Sequence, residues 1–410
     1  MKRLKNTSAV LLTLFTLLIC QTLHARQSVN LDAALKENTI HFSLGPRHEL
    51  EGTVRDKLRQ ELSQNQFVGL AELHGSEQLS YFTTGLIDLL KEEGFGHFAL
   101  EMGPFQANAL SQLSKKSEGL SESIRQANQT YGSKLLRITP LIFANHKEDA
   151  LFLQKAADAS LRLWGLDQEH TFSYEMHFDK LYKNVASPSS ELTALYKESK
   201  ETIRKWNRKE VLKGKFKMGC ELLWSENIDK FLNLVSVGKE AKARVAAMRT
   251  SWNIYCELEN NRPSNQKRAD YMKANFDSLL TVAAATSEKP RVFLKFGSVH
   301  LTRGKSPYGV NDIGQHVKEI ADQNNSGFLT IRHMKRYRNG KDLIGKNGWK
   351  ESTSFMKQGK KDQWTLIDLR PVRALLAEGK LTCTKREAFE IYSYDLMLIS
   401  PNDHKAKQNF

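Results

Sequence analysis

The sequence predicts an α/β fold: a mostly parallel central sheet flanked by helices, interrupted by a large helical insertion. Three observations predict it. Short apolar runs alternate with amphipathic segments of helical period, as in Phe67–Glu72, Glu77–Glu93 and Gly96–Glu101, and that alternation favours parallel pairing through right-handed crossovers. Each run ends on a polar residue beside glycine or a turn, where such folds place their chemistry. Between residues 172 and 286 the pattern is helical and charged throughout, too long for an ordinary crossover.

The elements follow in order. Residues 1–25 read as an export signal. Lys2, Arg3 and Lys5 precede an apolar stretch, Ala9 to Cys20, that is short for a membrane span, and Ala25 offers a small residue for cleavage. This makes the chain exported, periplasmic or secreted. Ile19 is too large for the small position a lipid-anchor signal needs before Cys20, so a lipid anchor is not expected. No later stretch has the length and apolarity of a membrane helix.

Residues 26–52 read as irregular and Val54–Leu62 as a short helix. Gln66–Glu72 is the first strand. In Glu77–Glu93, Leu79, Phe82, Leu86, Leu89 and Leu90 recur at three- and four-residue steps, and Gly94 closes the helix. The second strand is Gly96–Glu101, with a helix from about Phe105. Residues 117–145 carry no clear pattern. His146–Ser160 reads as a helix and Leu161–Asp167 as a third apolar run. After the insertion come a strand at Arg291–Gly297, a helix near Asn311–Asn324, a strand at Phe328–His333, an exposed loop over 335–362, and late strands at Trp364–Leu369 and Phe389–Leu398. Residues 26–171 and 287–410 thus form one α/β unit, with 172–286 as an insertion or lid.

The chain of 410 residues carries a formal charge of +15. The lysines are scattered over helical stretches, which describes a solvated basic surface, and no nucleic-acid-binding motif is present. Beyond the signal the cysteines are Cys220, Cys256 and Cys383. An exported chain permits a Cys220–Cys256 disulfide and leaves one thiol over. None lies in a CxxC, so a thiol nucleophile or zinc–thiolate centre is not expected.

The chemistry-bearing residues stand at strand ends. Glu72 and His74 are two apart, so strand alternation points both to one side. Gly75 and Ser76 turn into the next helix, whose N–H groups are an expected site for an anion or oxyanion. Glu101 ends the second strand, Asp167 the third, and His300 follows Gly297-Ser298-Val299. Imidazole changes charge near neutral pH, so His74 suits a general base. Glu72, His74 and His300 are equally a donor set for a divalent metal. Taken singly, each has a plain structural alternative: a turn cap for His74, a helix cap for Glu101 and Asp167, a backbone-bonded core histidine for His300. No Gly-x-Ser-x-Gly elbow, phosphate-binding glycine loop or His-Glu-x-x-His is present.

These residues resemble the erythromycin esterase-like proteins of the wider Tiki superfamily, which includes the haem-uptake ChaN and the TraB proteins. Gly297-Ser298-Val299-His300 is similar to the second of its two Gly-x-x-His motifs. Ala71-Glu72-Leu73-His74 is similar to the first, with Ala71 in place of glycine and one residue fewer between Glu and His than in erythromycin esterases. Leu163-Trp164-Gly165-Leu166-Asp167 resembles the Gly-x-Asp strand, and Arg268, Met272 and Asn275 resemble an Arg-x-x-x-Met-x-x-Asn helix. The resemblance implies a hydrolase of esters, lactones or amides acting on a small molecule or peptide. His74 would be base or ligand, Glu72 and Glu101 its orienting or metal-binding partners, and His300 a group polarising the substrate. Arg268, Asp167 and Ser298 would bind substrate; a helix-surface salt bridge is the alternative for Arg268. A second implied reading is a haem- or ligand-binding protein of the ChaN type, with Tyr174, Met176 and His177 as candidate axial ligands.

Overall fold

A computed structural model describes residues 29–214, 217–260, 263–346, 348 and 350–410. The export signal and Cys20 lie outside these residues. Ten strands lie among the described residues: β1 Thr39–Phe42, β2 Phe67–Glu72, β3 His97–Leu100, β4 Arg162–Gly165, β5 Val292–Gly297, β6 Phe328–Lys335, β7 Tyr337–Arg338, β8 Lys341–Asp342, β9 Trp364–Asp368 and β10 Leu396–Ser400. Eight form one sheet in the order β1-β9-β10-β6-β2-β5-β3-β4. From β10 to β4 every neighbouring pair is parallel, while β9 runs antiparallel to both β1 and β10.

Strand β2 is buried along its whole length between β6 and β5, as an apolar run with no polar alternation requires. Two apolar cores cover the sheet faces. One gathers Gly52–Gln64, Glu77–Glu92 and Lys147–Asp158 over Val68, Leu70 and Phe293. The other packs Leu31–Glu37, Ser264–Ala284, Ile313–Gln323 and Leu369–Ala377 on Phe67, Ala71, Leu294 and Phe296. From β2 the chain moves outward to β3 and β4. It then drops β5 between β2 and β3, and crosses to the far side of β2 for β6. A crevice at strand carboxyl ends beside such a reversal is the usual ligand position in open α/β sheets.

The helices between Tyr174 and Glu259 close round a third core containing Tyr174, Phe178, Phe231 and Trp252. Ser264–Ala284 does not join it. Met272, Phe276 and Ala283 pack this helix on the sheet, so it is a crossover helix and the separate helical core ends before it. Cys220 and Cys256 form a disulfide that ties Met218–Leu223 to Lys239–Glu259, and Cys383 is free.

Three sequence expectations are corrected. Phe389–Leu398 is not one strand: Lys385–Ser393 is helical and β10 starts at Leu396. Thr384 caps Glu387 N–H and the Glu387 carboxylate returns to Thr384 N–H, a capping box that nucleates helix over the apolar run. Residues 26–52 are not irregular throughout, because Asn30 caps Leu31–Glu37 and β1 follows. The 335–362 loop contains the β7–β8 hairpin, turned by Asn339 and Gly340 at positive φ, and a helix, Thr353–Gln358, that buries Phe355 and Met356. Among the described residues no helix is long and apolar enough to cross a membrane.

Candidate active site

The carboxyl ends of β2, β3, β4 and β5 surround a cavity of about 480 Å³. It is lined by Glu72, His74, Glu101, Asp167, Arg268, Ser298 and His300, together with Phe143, His170, Tyr255 and Tyr308. The seven residues singled out from the sequence therefore share one cleft.

His74 Nδ1–H donates to Glu72 Oε1 at 3.0 Å, which leaves Nε2 as the basic nitrogen. Nε2 stands 3.6 Å from Glu101 Oε2, too far for a direct hydrogen bond and too close for a water directly between them, so a water touching both sits to one side, in the cavity. From the other side His300 Nε2 lies 3.4 Å from Glu101 Oε1, and its Nδ1–H donates to Asp312 Oδ2 at 2.8 Å. Asp312 caps Ile313–Gln323, accepting Ile313 N–H. Arg268 donates Nε and Nη2 to Asp167 at 2.9 and 2.5 Å, and Nη2 also reaches Glu101 Oε1 at 2.9 Å. It is an interior clamp between two strand ends and not a surface salt bridge. Met272 is buried against the sheet, and Asn275 Nδ2 donates to Leu166 O at 2.8 Å, holding the turn that presents Asp167.

Gly297 permits the approach. Its N–H donates to Glu101 Oε2 at 2.5 Å, and a Cβ there would stand 2.9 Å from His74 Nε2 and 3.0 Å from Glu101 Oε2. Phe143, in the left-handed region at φ 62°, packs its ring 4.3 Å from the His74 imidazole. Strained backbone of this kind persists where surrounding structure over-determines it.

The charges set the titrations. Glu72 is buried, which favours its neutral form. The Lys295 ammonium and His74 outweigh that penalty and hold the carboxyl far below the usual range. Burial also opposes charge on His74, yet Glu72 and Glu101 win and raise its pKa. His300 is raised in the same way, by Glu101 and the Asp312 hydrogen bond against burial and Arg268. His170 moves oppositely: loss of solvent pushes it down to about 4. Its Nδ1 accepts Phe172 N–H, so at neutral pH it is an uncharged imidazole with its proton on Nε2.

Sequence reasoning missed Lys295, Asp312, His170 and Phe143. Lys295 had a signal, being the one charge in Val292-Phe293-Leu294-Lys295-Phe296, and a lysine inside a buried strand needs a partner. Asp312 lies beyond a loop from His300 and had none. The anion site expected at the start of Glu77–Glu92 is not available. Ser76 caps Leu79 N–H, and the buried Asp403 carboxylate accepts from Ser76 Oγ and Gln78 N–H.

Neither expected cofactor fits. The oxygens of Glu72 already accept from His74 Nδ1–H and the Lys295 ammonium, and Glu72, His74 and His300 do not bring three ligand atoms together at metal-binding spacing. Among the described residues, the one group of three ligand atoms within 4.8 Å of one another is Cys220, Cys256 and Glu259. Its sulfurs are joined in the disulfide, and the Glu259 carboxylate accepts Gly219 and Cys220 N–H. The proposed haem ligands are also engaged. His177 is fully buried with Nε2 on Glu169 and Ser173 and Nδ1 on Arg244, and Tyr174 donates to Glu169 O. Met176 is half-buried against the first sheet core.

The overall architecture matches several solved structures. A succinoglycan biosynthesis protein aligns over 92% of this chain and 97% of its own, with TM-score 0.55 and 16% identity. The erythromycin esterase EreC, in its open conformation, aligns over 88% of this chain and 96% of its own, with TM-score 0.54 and 13% identity. This chain has the erythromycin esterase-like fold. A Bacillus cereus protein matches as well, over 92% of this chain and 98% of its own, with TM-score 0.53 and 15% identity. At these identities the likeness is one of fold. No protein-family model matches the sequence, and no curated protein sequence does.

Proposed function

We propose that this protein is an exported hydrolase of esters, lactones or amides in which His74 activates water. One observation carries the reading: His74 Nε2 and His300 Nε2 approach the two oxygens of one carboxylate, Glu101, at 3.6 and 3.4 Å inside a cavity. A water beside His74 and Glu101, within reach of both, gives its proton to Nε2 while its oxygen attacks the substrate carbonyl carbon. The His300 imidazolium, favoured by its raised pKa, faces the negative charge that develops on the carbonyl oxygen, and the neutral His170 offers a further donor. On collapse the carbonyl–heteroatom bond breaks, the acid is released, and the proton on His74 passes to the departing alcohol or amine. Glu72 fixes the His74 tautomer and stabilises its charged form. Lys295 is a positioning residue that keeps Glu72 ionised.

Export is supported by the basic and apolar pattern of residues 1–25 and by the Cys220–Cys256 disulfide, which oxidising compartments allow. A panel of esters, lactones and amides assayed with the purified protein and with His74→Ala tests the catalytic reading. Turnover by the native chain should fall by roughly two to four powers of ten in the variant, with melting temperature preserved. Undiminished turnover in His74→Ala would refute the role assigned.

A further inference from the structure

A second cavity, of about 530 Å³, opens at the same rim of the sheet. Leu73 lines both cavities and forms the wall between them. On the far side stand Arg332, Arg386 and Lys350. Arg332 is buried at 5% exposure and rigidly held. Its Nε donates to Glu390 at 3.3 Å, its Nη1 to His333 O at 2.7 Å, and its guanidinium carbon lies 5.8 Å from the Tyr394 ring centre. Arg386 shares the same carboxylate at 2.6 Å. Glu390, wholly buried, thus offsets one of two guanidinium charges, and Arg332 Nη2 and Lys350 Nζ have no hydrogen-bond partner among the described residues. Fixed, partly desolvated guanidinium groups of this kind pair bidentately with carboxylate, sulfate or phosphate oxygens.

The placement relative to His74 follows from the sheet. Arg332 pairs with Ala71 across β6 and β2. His74 lies three residues further along, two past the end of β2, so the backbones at Ala71 and His74 are separated by at most about 10 Å. One extended small molecule spans that distance.

We propose that the substrate carries an anionic group (a carboxylate, sulfate or phosphate) at the end remote from its scissile carbonyl, bound by Arg332, Arg386 and Lys350 beyond Leu73. The assignment rests on the hydrolase reading for the scissile end, whereas the anion-binding pocket can be tested without turnover. Titration calorimetry of the whole protein with suberate and with inorganic phosphate should show binding that persists in His74→Ala and weakens at least tenfold in Arg386→Gln and in Lys350→Gln/Arg386→Gln. These are the more exposed members of the pocket, and melting curves verify folding. Absent binding to the native protein, or equal binding to the variants, overturns the pocket. Turnover then tests the substrate. Mono(4-nitrophenyl) suberate should exceed 4-nitrophenyl octanoate in kcat/KM by tenfold or more, through KM, and Arg386→Gln should erase the preference. Equal kcat/KM for the two esters overturns the anionic substrate. Anion binding without hydrolysis of either ester supports the pocket and counts against the hydrolase reading.

Discussion

The chain holds two clusters of histidine, glutamate and arginine, and only one turns an uncommitted ring nitrogen toward a cavity. Around His177 every ring nitrogen is committed: Nε2 to Glu169 and Ser173, Nδ1 to Arg244, with no exposure to solvent. Around His74 the ring is half committed: Nδ1 holds Glu72, while Nε2 faces a gap of 3.6 Å to Glu101 beside open space. The residue types are the same. The difference is one nitrogen left available to a ligand, and that separates a structural ion network from a reactive one.

The comparison breaks most visibly under paired substitution. His74→Ala should cost roughly two to four powers of ten in turnover while the melting temperature holds. His177→Ala should do the reverse, leaving turnover per folded molecule within about twofold while stability falls by ~3–5 kcal/mol as Glu169 and Arg244 lose their shared partner. Loss of activity at both positions, measured against the folded fraction, would dissolve the distinction.

Lys295→Met sharpens it from below. Lys295 and Glu72 are both buried and in contact, so removing the ammonium should destabilise the protein by ~3–5 kcal/mol in urea unfolding. The depressed Glu72 carboxyl adds stability that is present above its unfolded pKa and is lost as pH falls through its folded one. Replacing Lys295 raises that folded pKa, so acid unfolding should begin at higher pH than in the native chain.

A smaller effect is expected from Gly297→Ala. The added methyl meets His74 Nε2 and Glu101 Oε2 at 2.9 and 3.0 Å, the two groups assigned to hold the attacking water, so turnover should fall by at least about tenfold with little change in melting temperature. Smallest of all is the response to chelators. With Glu72 engaged by Lys295 and His74, prolonged EDTA treatment should leave turnover unchanged, and restoration by zinc after EDTA would contradict that.

Much of this is legible in the amino-acid sequence. The apolar runs ending on Glu72, Glu101, Asp167 and His300 name the strands, and their polar endings name the rim. Local chemistry that was present went unread: the Thr384–Glu387 capping box and the Asn339–Gly340 turn each specify an element without reference to the rest of the chain. Other features are not local. Asp403 fills the start of Glu77–Glu92 from a C-terminal segment with no sequence proximity to Ser76. Arg268 reads as a helix-surface charge until Ser264–Ala284 is seen to pack on the sheet. Three-dimensional closure decides which polar atoms remain unpaired, and residue spacing does not encode it.

The most direct measurement is the pH dependence of kcat/KM for the native chain and for Glu72→Gln. His74 must be neutral to accept a proton, and its pKa is raised, so the native acid limb should lie above 6.5, the ordinary imidazole value. In Glu72→Gln the carboxylate that sustains the charged ring is gone while burial and Lys295 remain, so the limb should move to lower pH as the maximal rate falls. An acid limb that stays in place in Glu72→Gln would contradict the assignment of His74 as the base.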